Sequence, residues 1–477
     1  MRYCGISENF HNAAIAFVEE DGTISFASES ERYSKRKNDP LLHKFLSNMI
    51  REEDHVSFYE DINLRNQYSE KIANTLHNKE AALNKAKRAA NKITRYTIDK
   101  SYLHHQSHAA AAFYTRPWAS TNDTVCLTID GYGEWQSATI QDNNFNILYE
   151  ETYPRSIGVI YALGTKALGY RPLEEEYIVM GMAAFSGSIF LDTFEDKVNL
   201  FFDGHISSKD LVLYFQRANP IDLAGTLQAW TEKEILKLAS RARKYGSKLV
   251  YSGGVAQNIV ANSMIRNLFD DMWIAVNSTD GGSALGAAAR SWALDTGKDR
   301  LLWEDAYLGH DEKSDINPAR VASYLNSNFI CGVVNGKAEF GPRALGNRSL
   351  LADPRKDIKD TVNKVKNREK FRPFAPVILE EFSEEYFEGH KNEYMQYTCN
   401  AKHDYKSVTH VDGTARVQIV TKDSTSIIRP ILEEFYNLSG IPMLLNTSLN
   451  VRGKPICNDK YDGKLFYSHT RVKVWNR

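Results

Sequence analysis

Three stretches of this chain share one local plan: a strand of β-branched and apolar residues, or an acid, meets a pair of glycines and the chain turns. TVCLTIDGYGE (124–134) is a strand that ends on Asp130 between its apolar run and two glycines. KLVYSGGVAQN (248–258) reads as strand, Gly-Gly turn and helix, and STDGGSALG (278–286) is a second glycine-rich turn with Asp280 at its head. Such turns at the carboxyl ends of strands are where open α/β sheets place phosphates and metals, with helix N-termini ready to receive anions. The amino terminus adds an expected β-hairpin over Arg2–Phe26, turning at Glu20-Asp21-Gly22. Glu31–Lys37 reads as a basic loop, residues 41–100 as mainly helical and polar, and Leu223–Tyr245 as an amphipathic helix.

Two further stretches carry chemistry-bearing residues. HHQSH (104–108) opens an alanine-rich helix, so His104 and His108 project from one face, as two helix-borne metal ligands must. Capping or hydrogen bonding would explain the same pair, and no glutamate completes a metalloprotease HExxH pattern. Residues 334–379 carry Lys337, Arg343, Arg348, Arg355, Arg368 and Arg372 among turn-forming glycines and prolines. A solvated helix would pair such charges with acids, whereas this spacing lets guanidinium forks and backbone amides converge on an anion. A helix is expected over Lys356–Arg368. IPMLLNTSLN (441–450) is an apolar strand ending in Asn446, Thr447, Ser448 and Asn450, a set able to hydrogen-bond an adenylate or to form an ordinary Asx-turn.

Length and composition bound the rest. A chain of 477 residues with 42% hydrophobic and 25% charged residues has the make-up of a soluble protein of two domains or more. The texture turns to polar linker over Asp311–Asn317, which sets the expected domains at 1–310 and 311–477. No apolar run is long enough to span a bilayer, the start lacks a secretory signal, and five scattered cysteines without CxxC spacing argue for reduced thiols. A cytoplasmic protein is expected, with a symmetric homodimer as the commonest assembly. A formal net charge of −1 makes any nucleic-acid or phosphate site local. The basic run between Lys85 and Arg95, with five Lys/Arg and no acid, is either a solvated helix face or a contact for a phosphorylated or nucleic-acid acceptor.

FGPRALGNRS (340–349), ADPR (352–355) and FRPFAP (371–376), in that order, closely resemble the NodU/CmcH family of O-carbamoyltransferases, and the likeness runs from Arg2 to about Pro455. The glycine turns and hairpin likewise look like the acetate kinase, actin and hexokinase (ASKHA) architecture, in which two similar halves clamp a nucleotide; the absence of an obvious sequence repeat does not contradict this. The resemblance implies an ASKHA-like domain similar to the threonylcarbamoyl-adenosine transferases, followed by a YrdC-like α/β domain that makes a carbamoyl-type adenylate. It implies that His104, His108, Asp130 and Asp280 hold a divalent metal, Fe(II) first, with Zn²⁺ or Mn²⁺ as alternatives. It implies that Lys337, Arg368, Arg416 and Asn446 contact carbamoyl phosphate and Mg-ATP, with Arg343 and Arg348 in support, and that Tyr177 and Asn258 line a nucleotide pocket.

This sequence departs from the family pattern at three places: His11-Asn12 stands where His-Asp is usual, Ile178 where lysine follows Glu-Tyr, and the tail after Gly453 lacks the usual closing segment. The family default for the acceptor is a sugar or antibiotic hydroxyl; the basic run and the tail leave room for a nucleotide or a hydroxymethylated DNA base. Two other functions compete. A sugar-kinase-like phosphotransferase would leave the arginine-rich region without a role, and a non-catalytic nucleotide- or nucleic-acid-binding regulator would not need the histidine pair.

Overall fold

Alternating apolar residues near the amino terminus build three antiparallel strands, β1 (Arg2–Ser7), β2 (Ala14–Glu19) and β3 (Ile24–Glu29), so the expected hairpin is a meander with one strand more. The computed structural model describes residues 1–75 and 96–476, and the basic run from Lys85 to Arg95 lies outside them. Two units divide the chain: Met1–Ser30 with Asn38–Glu304, and Glu31–Lys37 with Asp305–Arg477.

In the first unit, β4 (His55–Phe58) and β5 (Lys100–Ser101) join the meander in parallel, giving the strand order β3-β2-β1-β4-β5. β4 corrects the mainly helical reading of residues 41–100. Its four residues are too few to show a period, and its pairing with β1 makes it a strand. The second sheet contains β6 (Thr124–Gly133), β7 (Gln136–Gln141), β8 (Ile147–Thr152), β9 (Lys248–Ser252) and β10 (Asp271–Ile274). Its order, β8-β7-β6-β9-β10, again places a three-stranded antiparallel meander beside two parallel strands. One topology used twice is the actin- and hexokinase-like architecture that the glycine turns predict.

The helices of this unit that bear on function are α1 (His104–Phe113), α2 (Glu176–Ala183), α3 (Pro220–Ala242), α4 (Ile259–Arg266) and α5 (Asp280–Thr296). α5 lies against both β1 and α1 because glycine removes the side chains that would separate them. A Cβ on Gly5 would stand 1.8 Å from the Ala284 carbonyl oxygen, and one on Gly286 would stand 1.8 Å from that of Ser107. This contact brings the start of α5 to the start of α1.

The second unit is a mixed six-stranded sheet in the order β19-β15-β20-β14-β12-β21. Its strands are β12 (Ile330–Val334), β14 (Arg348–Ala352), β15 (Ala375–Leu379), β19 (Gln418–Val420), β20 (Met443–Ser448) and β21 (Val474–Trp475). Neighbouring residues alternate between two buried faces. Leu351 and Leu444 meet Val321, Leu325, Ile431 and Phe435 of helices α6 (Pro318–Asn328) and α8 (Ile428–Ser439). Leu350 and Leu445 meet Val362 and Phe466 of α7 (Lys359–Val365) and α9 (Lys460–Thr470). A sheet covered on both sides reads as continuous apolar sequence, as MLL and SLLA do here. β11 (Tyr307–Glu312) pairs with β13 (Gly336–Glu339), so the polar linker begins inside a strand; β16 (Phe387–Glu388), β17 (Cys399–Ala401) and β18 (Thr414–Ala415) form a small sheet. α7 is shorter than the helix expected over Lys356–Arg368.

Candidate metal centre and anion pocket

The metal centre begins with a helix that cannot cap itself. Leu103 occupies the N-cap of α1 and makes no side-chain bond to the helix. The Glu134 carboxylate accepts instead from the backbone N–H of His104, 3.1 Å to each oxygen, and of Asp61, 2.9 Å. Burial raises Glu134 to about 7, against the opposing pull of His104. Pinned in this way, His104 and His108 turn their Nε2 atoms toward each other, 3.1 Å apart. His105 faces elsewhere, with Nδ1 3.1 Å from Thr139 Oγ1.

Two carboxylates close the set. The Gly254 N–H donates to Asp130 Oδ1 at 3.0 Å, and Asp130 Oδ2 lies 3.1 Å from His104 Nε2 and 3.6 Å from His108 Nε2. Asp280 opens α5, with Oδ1 3.5 Å from His104 Nε2 and 3.4 Å from His108 Nε2. Close packing leaves no room for side chains at the turns: a Cβ on Gly133 would meet the His104 ring at 2.2 Å, and Gly253 has φ +94°. The four ligand atoms lie within 4.8 Å of one another. Burial disfavours charge on His104, yet Asp280 and Asp130 outweigh it and raise the imidazole to about 9. Asp280 Oδ2 is buried without a hydrogen-bond partner, and His11 Nδ1 is 3.6 Å away. Two facing imidazole nitrogens and two carboxylates form a nitrogen and oxygen donor set that fits a divalent transition metal. The structure therefore brings together all four residues predicted for the metal.

The second unit gathers several cations around Arg416, with Glu369 paired to Arg372 at 3.5 Å. The Arg416 guanidinium is held well below its usual range, first by burial and then by Arg343, Arg368 and Arg372; its Nε is buried without a hydrogen-bond partner. Arg368 donates from Nε to Asn363 Oδ1 at 2.6 Å and lies 4.0 Å over the Phe374 ring. Lys366, which the sequence reading did not single out, is buried. It donates to the Ser448 carbonyl, to Ser448 Oγ at 3.2 Å and to Asn450 Oδ1 at 2.8 Å. Burial, with Arg368 and Arg372 nearby, pushes its ammonium pKa well down. Asn446 gives its amide N–H groups to Ala344 O and Gln418 Oε1, while its Oδ1 is buried and lacks a hydrogen bond. Repelling cations beside orphaned polar atoms suit an anion that brings its own hydrogen-bonding groups. The KNR order at 366–368 was the available signal for Lys366, hidden because it resembles a solvated helix face.

Other predicted residues stand differently. Arg348 is fully buried and directs its donors to five carbonyls, those of Asn458, Asn335, Asn347, His310 and Gly336. It is a structural clamp rather than a support for an anion, because no N–H remains for a ligand. Asn258 caps α4 through Ala261 N–H and pairs amide to amide with Gln228. Lys337 is exposed on β13 opposite Asp311, and Tyr177 is exposed on α2.

Comparison with known proteins places this geometry in context. The family model for the carbamoyltransferase N-terminus matches residues 48–289, and that for the carbamoyltransferase C-terminus matches 322–475. An uncharacterized protein of Synechocystis is 28% identical over 98% of this chain and 94% of its own. Nodulation protein NolNO of Sinorhizobium fredii is 32% identical over 75% of this chain and 60% of its own. Nodulation protein U of Bradyrhizobium diazoefficiens is 31% identical over 74% of this chain and 72% of its own. Among solved structures, component A of the Acidaminococcus fermentans (R)-2-hydroxyglutaryl-CoA dehydratase aligns with 62% of this chain and all of its own, at a TM-score of 0.39 and 13% identity. The fold assignment rests on strand order instead.

Proposed function

The chain belongs to the carbamoyltransferase family, and from that premise we propose that it is an ATP-dependent O-carbamoyltransferase working through a carbamoyl-adenylate. The observation that carries this reading is the set of His104, His108, Asp130 and Asp280, three buried and Asp130 half-buried, whose ligand atoms lie within 4.8 Å of one another. An ion held there, Fe(II) by first expectation, supplies Lewis acidity toward a carbonyl or phosphate oxygen.

The chemistry divides between the units. In the second unit, Arg343, Arg368, Arg372 and Arg416 take the phosphates of Mg-ATP and carbamoyl phosphate, and the orphaned Asn446 oxygen accepts a bond from the bound ligands. Water cleaves carbamoyl phosphate to carbamate and inorganic phosphate. The carbamate oxygen attacks the α-phosphorus of ATP and pyrophosphate leaves, a step favoured by cations fixed before the charge develops. In the first unit, an acceptor hydroxyl attacks the carbamoyl carbon of the adenylate, loses its proton, and AMP departs. Glu134 holds His104 in place throughout. Lys337, exposed on its strand, is proposed as a peripheral contact for the donor.

Nucleotide product analysis tests this. Wild-type protein given ATP, carbamoyl phosphate, Mg²⁺ and Fe(II) should release AMP and pyrophosphate and add a carbamoyl mass to one hydroxyl acceptor, drawn from a panel of sugars, nucleosides and hydroxymethylated DNA. Production of ADP would favour the kinase alternative.

A further inference from the structure

Residues of the carboxyl-terminal tail line a cavity that the proposed carbamoyl chemistry does not use. It has a volume of 460 Å³ and is lined by residues that include Tyr324, Lys464, Tyr467, Arg471, Lys473 and Asn476. That volume falls within the ~300–1,000 Å³ usual for small-ligand sites. It lies beside β21, the edge of the six-stranded sheet opposite β19, whereas Arg416 stands two residues before β19.

Its charge is one-sided. Among the described residues, three cations and no acid line the cavity. Nearby acids are engaged elsewhere: Asp459 caps α9 through Tyr461 and Asp462 N–H, Asp462 pairs with Lys35 at 2.5 Å, and Glu312 pairs with Lys460 at 3.4 Å. Lys473 is held between aromatic faces, its Nζ 3.8 Å from the Trp475 ring centre and 4.9 Å from that of Tyr324. Arg320 adds a fourth cation near Trp475, at 5.9 Å. Tyr467 stands 47% exposed at the cavity, a free surface for a planar group. Clustered cations suit a phosphate, and a tyrosine face suits an aromatic base.

We propose that this cavity binds a nucleotide unit, with its phosphate among Lys464, Arg471 and Lys473 and its base on Tyr467. Free mononucleotides and single-stranded nucleic acid both present that chemistry. The inference is independent of the proposed carbamoyl transfer.

The test is fluorescence anisotropy of the full chain with a labelled short oligothymidylate, repeated in Arg416→Met so that binding at the cavity is separated from binding at the Arg416 pocket. Competitors are AMP, thymidine, inorganic phosphate and polyglutamate. The variants are Tyr467→Ala and the pair Lys464→Glu with Arg471→Gly; glycine suits the left-handed backbone at Arg471, φ +62°. Each variant should weaken oligonucleotide binding about tenfold or more while pyrophosphate release is unchanged. Competition by AMP as strong as by unlabelled oligonucleotide assigns the site to free nucleotides; competition by oligonucleotide alone assigns it to single strands. Undiminished binding by both variants would overturn the proposal. So would equal competition by phosphate or polyglutamate, which would leave a simple anion site without a base.

Discussion

Arg348 and Arg416 carry the same side chain and face opposite fates. All five N–H donors of Arg348 end on backbone carbonyls, so Arg348→Met removes five hydrogen bonds from buried and half-buried acceptors. A chemical denaturation curve should show a loss of about 3 kcal/mol or more. Arg416 sits among like charges with its Nε unpartnered. Arg416→Met should therefore leave stability unchanged or improved, while calorimetry shows ATP binding about tenfold weaker or worse, the loss of one charge-assisted hydrogen bond. His104 makes a different prediction. In the ion-free centre its pKa rises from 6.5 to about 9, so a metal must displace a proton that is bound across that window. Apparent metal affinity should rise with pH until about 9, and chelator competition at several pH values would read it directly. The candidate metal histidines were legible in the sequence because residues four apart share a helical face, whereas the full set with Asp130 and Asp280 came from the family resemblance. The role of Arg348 was not, because charge counting cannot tell whether a guanidinium meets a ligand or its own backbone.

At the scale of the element, the centre depends on how α1 starts and how closely α5 approaches it. Glu134→Ala removes the acceptor for two backbone N–H groups. It should cost about 1 kcal/mol in stability, as lost helix caps do, and weaken metal binding by ~10–100-fold, as lost outer-shell partners do. Glu134→Gln keeps an acceptor oxygen and should recover most of both. Gly286→Val would drive a side chain into the Ser107 carbonyl of α1; the protein should then purify without stoichiometric metal or fail to fold. The strand-to-glycine turns announced β6 and β9 clearly. β4 escaped because four residues set among polar neighbours give no period, and only its pairing with β1 reveals it. Glu134 escaped because a cap supplied from thirty residues away leaves no local signature.

For the whole molecule, the doubled strand order of the first unit was legible through its glycine turns, although the sequence itself does not visibly repeat. Topology can be duplicated while side chains diverge, since the hydrogen bonds of a sheet belong to the backbone. The two compact units carry unlike chemistry, a candidate donor set for a cation in one and a cluster of arginines suited to an anion in the other. The account therefore divides the reaction, with adenylation in the second unit and transfer in the first. The most direct test measures pyrophosphate release and carbamoyl transfer together in wild type, His108→Ala and Arg368→Ala. The account predicts that His108→Ala releases pyrophosphate but transfers nothing, and that Arg368→Ala does neither. Loss of pyrophosphate release in a folded His108→Ala protein would contradict the division.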